Sequence, residues 1–192
     1  MKKLTLILVL TSLALFAGVL APATARASDT PARGSFRAEL DIQIADLEKK
    51  LISLAEAIPA AKYAWRPGQG VRSTGEVFAH VAQSNYSLPS LLGVKVPDGI
   101  GNDMEKKYTK KEEIVPALKQ SFQHLRSAVS GLTDADLARP VKLFQRESSV
   151  LGTYFLAMGH LHEHLGQSIA YARTAGVVPP WTAEREAKQK QE

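Results

Sequence analysis

Residues 149–174 carry only two formally charged side chains, Glu163 and Arg173, and this near-neutral stretch constrains the fold more than any other feature of the chain. Leu151, Tyr154, Met158, Leu161, Leu165 and Ile169 recur at helical spacing and form a broad apolar arc. The pattern predicts a helix from Ser148 or Ser149 to about Thr174, with Gly176 as its stop and Pro179-Pro180 beyond it. A helix that is apolar around most of its circumference must be covered by other elements, so it belongs in the middle of a helical assembly. A membrane span is the competing reading. Glu163 and three histidines at the helix centre weigh against it. Gly152, Gly159 and Gly166, spaced seven apart, are expected to line a strip where a neighbouring backbone approaches.

The histidines define the chemistry of that helix. Residues four apart lie one above the other, so His160 and His164 can aim two imidazole nitrogens at one point. His162 lies roughly 200° around the wheel from His160 and faces away. A chelating pair needs a third ligand from another element.

The preceding chain supplies three more helices. Leu40, Ile44, Leu47, Leu51, Leu54 and Ile58 alternate in steps of four and three, a seam of the kind that packs in bundles, and Pro59 ends it. Ser73 and Glu76 have the spacing of a capping box and open a second helix whose apolar face holds Val77, Phe78, Val81 and Leu88. Thr109 and Glu112 repeat that spacing before a third helix through Ile114, Leu118, Phe122, Leu125 and Val129. Between Pro89 and Tyr108 no period is sustained, and a link of that length suits a crossover along the assembly. Thr133–Leu137 reads as a short helical turn and Arg139–Arg146 as an irregular link, with no strand pattern anywhere. Trp65 and Trp181 read as core plugs, and the charged tail 182–192 as frayed. The expected fold class is all-α, a four-helix bundle with a long crossover between helices 2 and 3, occupying residues 28–181.

Residues 1–27 read as a secretory signal peptide: a basic Met1-Lys2-Lys3, an apolar run from Leu4 to Leu20, and Ala25-Arg26-Ala27 as the cleavage site before Ser28. The expected location is therefore periplasmic or extracellular, with no stable membrane anchor after cleavage. Removing Lys2, Lys3 and Arg26 takes three units from the formal net charge of +5. With no basic run interleaved with aromatics, nucleic-acid binding is not expected. The chain has no cysteine, which excludes disulfides, thiolate ligands and a cysteine nucleophile, so any metal must sit on His, Asp or Glu.

His80, at the border of the second helix's apolar face, can point inward and meet His160 and His164. Three protein ligands with positions left open are the pattern of catalytic rather than structural metal sites. Glu163 and Gln167, three and seven residues after His160, are candidates for orienting the ligands or touching a substrate. His160-x-x-Glu163-His164 also matches the H-x-x-E-H pattern of inverzincin peptidases, in which the glutamate is a general base. His124, alone on the third helix, reads as a surface or interface residue.

His80 on the second helix, the His160-x-x-x-His164 pair followed by Gly166-Gln167 on the last, Trp65-Arg66-Pro67 before the second helix and the ending from Tyr171 to Trp181 together resemble the DinB superfamily. The resemblance covers about residues 36–181. It implies a divalent metal, nickel or zinc, on His80, His160 and His164. Several members are thiol-dependent transferases or isomerases; Leu165 and the signal peptide set this chain apart from them. The expected function is an exported metalloenzyme acting on an unidentified small molecule. The alternatives are a non-catalytic binding domain, a homodimer through the fourth helix, and a thiol-dependent S-transferase.

Overall fold

The computed structural model describes residues 34–191, so the signal-peptide reading lies outside the described residues. The first helix, α1 (Phe36–Ala57), starts where the Ser35 hydroxyl accepts the N–H of Ala38 at 3.2 Å. Its seam is buried as its spacing demands, with Leu40, Ile44, Leu47, Leu51 and Leu54 at 2% exposure or less. After Pro59 a 3₁₀ turn (Ala60–Lys62) brings Tyr63 back under the helix, where its hydroxyl donates to the Ala55 carbonyl at 2.7 Å. Tyr63 is the aromatic that plugs this end of the core, while Trp65 is only half-buried.

Helix α2 (Thr74–Ser90) opens with the expected capping box. The Ser73 hydroxyl accepts from the Glu76 N–H at 3.2 Å, and the Glu76 carboxylate accepts from the Ser73 N–H at 2.7 Å. The link that follows contains one turn of helix, α3 (Met104–Lys107), before α4 (Lys111–Ser130). The carboxylate at the start of α4 is Glu113 and not Glu112: it accepts the N–H groups of Thr109 and Lys110, each at 3.2 Å. The helix begins one residue later than the Thr109–Glu112 spacing implied. After the short α5 (Asp134–Ala138), the long helix α6 (Val150–Thr174) starts at its Ser149 cap and stops at Gly176, which supplies the left-handed φ of 78° that ends it.

The four long helices share one apolar core. Helix α2 packs on α4 and α6, and α1 packs on α4 and α6, so α1 lies across the core from its chain neighbour α2. Isolated helices of this length are marginal in water, so it is burial of these facing seams that holds them. Among the described residues no helix is long and apolar enough to cross a membrane.

Three further expectations are corrected. The chain is mostly helical rather than all-α: β1 (Pro140–Leu143) and β2 (Arg146–Ser149) pair antiparallel, with Val141 opposite Ser148 and Lys142 opposite Glu147. Their two-residue turn sets Phe144 and Gln145 at φ 45° and 69°, a conformation normally signalled by Asn-Gly, which is why the hairpin left no trace in the pattern. The tail is not frayed: α7 (Pro180–Gln189) opens on Pro180, buries Thr182 and packs on α1, with Trp181 against the core. Finally, Gly159 and Gly166 face open space, where a Cβ on either would meet nothing within 4 Å, so no neighbouring backbone approaches them.

The turn is the point of local strain. Two side chains held at positive φ cost about 1 kcal/mol or more each. Phe144 is 64% exposed, so its side chain contributes little packing in return. The double substitution Phe144→Asn, Gln145→Gly is expected to raise stability by about 1 kcal/mol. A urea midpoint equal to or below that of the parent chain would contradict this account of the turn.

Candidate metal centre

Helices α2 and α6 pack against each other, and each contributes imidazoles to the same place. His160 and His164, one turn apart on α6, have ring centroids 4.4 Å apart, and those of His80 lie 5.0 and 4.8 Å from them. One nitrogen from each ring falls within 4.8 Å of the other two. Nε2 of His80 stands 3.0 Å from Nε2 of His160, with the Ser84 hydroxyl 3.4 Å from the latter. His164 is buried, at 6% exposure, while His80 and His160 are half-buried.

Hydrogen bonds set two of the tautomers. Glu105 Oε1 lies 2.7 Å from Nδ1 of His80, and an ionised carboxylate can only accept, so Nδ1 carries the proton and Nε2 keeps its lone pair. Gln167 donates its amide N–H to the Tyr171 hydroxyl at 3.0 Å, which turns its oxygen toward Nδ1 of His164 at 2.9 Å. His164 is thereby also an Nδ1 donor, with its Nε2 lone pair left free. Trp65 stacks edge-on against Tyr171, centroids 5.3 Å apart, and backs this chain of contacts. Nδ1 of His160 is buried without a hydrogen-bond partner among the described residues.

The electrostatics favour the ligating form. Burial pushes the His160 pKa down to about 4, helped by the neighbouring His164 and His80 and by Arg72. Burial also lowers that of His80, with Glu105 opposing it. For Glu105 itself burial acts upward, but the hydrogen bonds from Arg72 and His80 outweigh it and hold the carboxyl below its usual range. His80 and His160 therefore offer neutral imidazoles near pH 7, which is what a divalent cation requires.

Of the residues singled out in the sequence, Gln167 touches the cluster through His164, whereas Glu163 and His162 are exposed. Among the described residues the carboxylate that hydrogen-bonds a cluster histidine is Glu105, on α3. Nothing in the local sequence of the crossover marked Glu105, because its role depends on where a one-turn helix docks. Arg72 was missed for the same reason. His124 sits half-buried with its ring against Tyr86, centroids 4.9 Å apart, away from the cluster.

These features define a helical protein with a three-histidine centre of metal-binding type, set between two core helices. The DinB superfamily model matches residues 43–168, and the chain belongs to that superfamily. Solved structures agree on the fold. A DinB-like protein of Bacillus cereus superposes with a TM-score of 0.65 at 18% identity, covering 73% of this chain and 93% of that one. A DinB-like protein of Bacillus subtilis gives a TM-score of 0.60 at 18% identity, with the same shares covered. Among curated proteins none matches the chain.

Depressed histidine pKa values make the metal-free fold acid-sensitive. The unfolded chain takes up these protons near pH 6.5, whereas folded His160 resists until about 4. Between those values the unfolded state holds more protons, so the contribution is complete above about pH 6.5 and is lost as pH falls toward 4. Thermal midpoints of the metal-free protein are expected to fall across this window, and less steeply in His160→Asn. Equal slopes for the two proteins would show that His160 is not the source.

Proposed function

We propose that this protein is an exported four-helix bundle, with a crossover between its second and third long helices, that holds a divalent ion on His80, His160 and His164 and presents it to a small-molecule substrate. The observation that carries the reading is the convergence of three imidazoles of which two have Nδ1 tied to an acceptor, leaving Nε2 for a cation. The donor set fits the group: three imidazole nitrogens, no thiolate, and partners that orient two of the rings, the combination seen where zinc or nickel is bound. A bound ion would supply Lewis acidity and coordination positions left open by the protein.

The chain's own residues do the rest. Gln167, held by Tyr171, keeps His164 from rotating, and Glu105 does the same for His80. Arg72 brings a guanidinium close enough to lower the proton affinity of both His80 and His160. Val77 and Val81, which flank His80 on α2, and Ala157 and Leu161, which flank His160 on α6, are all buried. No side chain is assigned a proton-transfer role: Glu163 is exposed and His162 with it.

The reading predicts about one divalent ion per chain, with zinc or nickel preferred. Elemental analysis after dialysis against each metal should show that stoichiometry for the parent chain and its loss in His80→Ala, His160→Ala and His164→Ala. Unchanged stoichiometry in all three variants would remove the site.

Export is carried by the sequence of residues 1–27. Expressed from its full gene in a bacterium with a Sec pathway, the protein should accumulate outside the cytoplasm, with an intact mass that starts at Ser28. A cytoplasmic product beginning at Met1 would overturn that part of the reading.

A further inference from the structure

We propose that Glu105 is the positioning residue of the three-histidine centre: carried on the crossover and clamped by Arg72, it holds His80 as the Nδ1–H tautomer and so turns Nε2 toward His160 and His164. The consequence for metal affinity rests on the metal-binding reading; the tautomer itself does not.

Both carboxylate oxygens of Glu105 are engaged. Oε1 receives the His80 ring at 2.7 Å and Arg72 Nη2 at 3.2 Å, and Oε2 receives Arg72 Nε at 2.7 Å. A guanidinium fork on one side leaves the carboxylate little freedom to rotate, so the direction it offers to His80 is set. With its oxygens so committed, Glu105 acts through His80 rather than as a further ligand.

The backbone beneath it is placed by other contacts. Helix α3 spans four residues, too few to be stable alone, so its position is a matter of docking. Met104, beside Glu105, is 1% exposed in the core, and its N–H donates to Oε1 of Gln83 at 3.1 Å. Gln83 lies on α2 one turn beyond His80, so the crossover is fastened to the same stretch of α2 that carries the histidine. Outside this contact, Arg66, Gly70, Arg72, Asn102 and Lys106 line a cavity of about 420 Å³ that reaches Glu105 from the solvent side. Exposed ion pairs contribute little to stability, so the Arg72–Glu105 pair is better explained by what Glu105 holds than by the pair itself.

The experiment uses the full mature chain labelled with ¹⁵N, stripped of metal, with His80→Asn to assign the ring signals. Two-bond ¹H–¹⁵N spectra should show His80 as the neutral Nδ1–H tautomer in the parent chain. Glu105→Ala should release it toward Nε2–H, and Glu105→Gln, whose amide oxygen still accepts, should retain it. Cobalt(II) titration of the same proteins should show affinity falling roughly 10–100-fold in Glu105→Ala and less in Glu105→Gln, with the visible band shape unchanged. An Nε2–H tautomer in the parent chain, or the same tautomer in parent and Glu105→Ala, overturns the proposal. A changed cobalt band shape in Glu105→Gln would make Glu105 a ligand and also overturn it. A parent chain that binds no cobalt defeats the metal reading alone, and the parent tautomer is readable whether or not Glu105→Ala folds.

Discussion

A buried imidazole needs a partner for each of its nitrogens, and this requirement shapes the structure around α6. One face of α6 is covered by the other helices because it is apolar, and covering it takes His164 out of water and His160 part of the way. An unpartnered polar group in such surroundings costs on the order of 1–3 kcal/mol. The fold meets the requirement at Nδ1 of two rings by lining up acceptors behind them, Gln167 and Tyr171 for His164 and Glu105 with Arg72 for the facing His80, while Nδ1 of His160 has no partner among the described residues. What these acceptors leave over is a set of Nε2 lone pairs on the inner side. The contacts that satisfy the buried rings are thus the same ones that aim them at a common point.

The arrangement of helices makes that convergence possible. Helix α1 follows the simplest seam in the chain, yet it lies across the core from α2, and the neighbours of α2 are α4 and α6. The crossover after α2 returns α3 to the α2 surface, where Met104 and Gln83 fasten it. One end of the cluster is therefore closed by a segment with no helical period of its own. Trp65, from the link before α2, backs the other end through Tyr171.

Where local chemistry and tertiary packing agreed, the sequence was readable. The four-three spacing of Leu40 through Leu54 and the Ser73–Glu76 capping box appear in the structure as expected. The hairpin was not legible, because Phe144 and Gln145 occupy a turn that local preference assigns to other residues and that the neighbouring strands impose. The open faces of Gly159 and Gly166 show the opposite failure: a regular spacing suggested a close approach, but nothing packs there. Helix α7 was read from its charge as frayed, although Pro180 starts it and Trp181 and Thr182 anchor it.

By itself the sequence determined the extent of α6, that His160 and His164 share one face, and that His80 can point inward, since each follows from helical period and apolar content. The chemistry available was bounded as well: without cysteine, a metal had only nitrogen and oxygen donors to use. Only the tertiary structure decided that His80 meets the pair, that Glu105 rather than Glu163 supports it, and that Arg72 stands behind both. These are contacts between residues far apart in the chain, and side-chain spacing along one helix carries no information about which other element will dock against it.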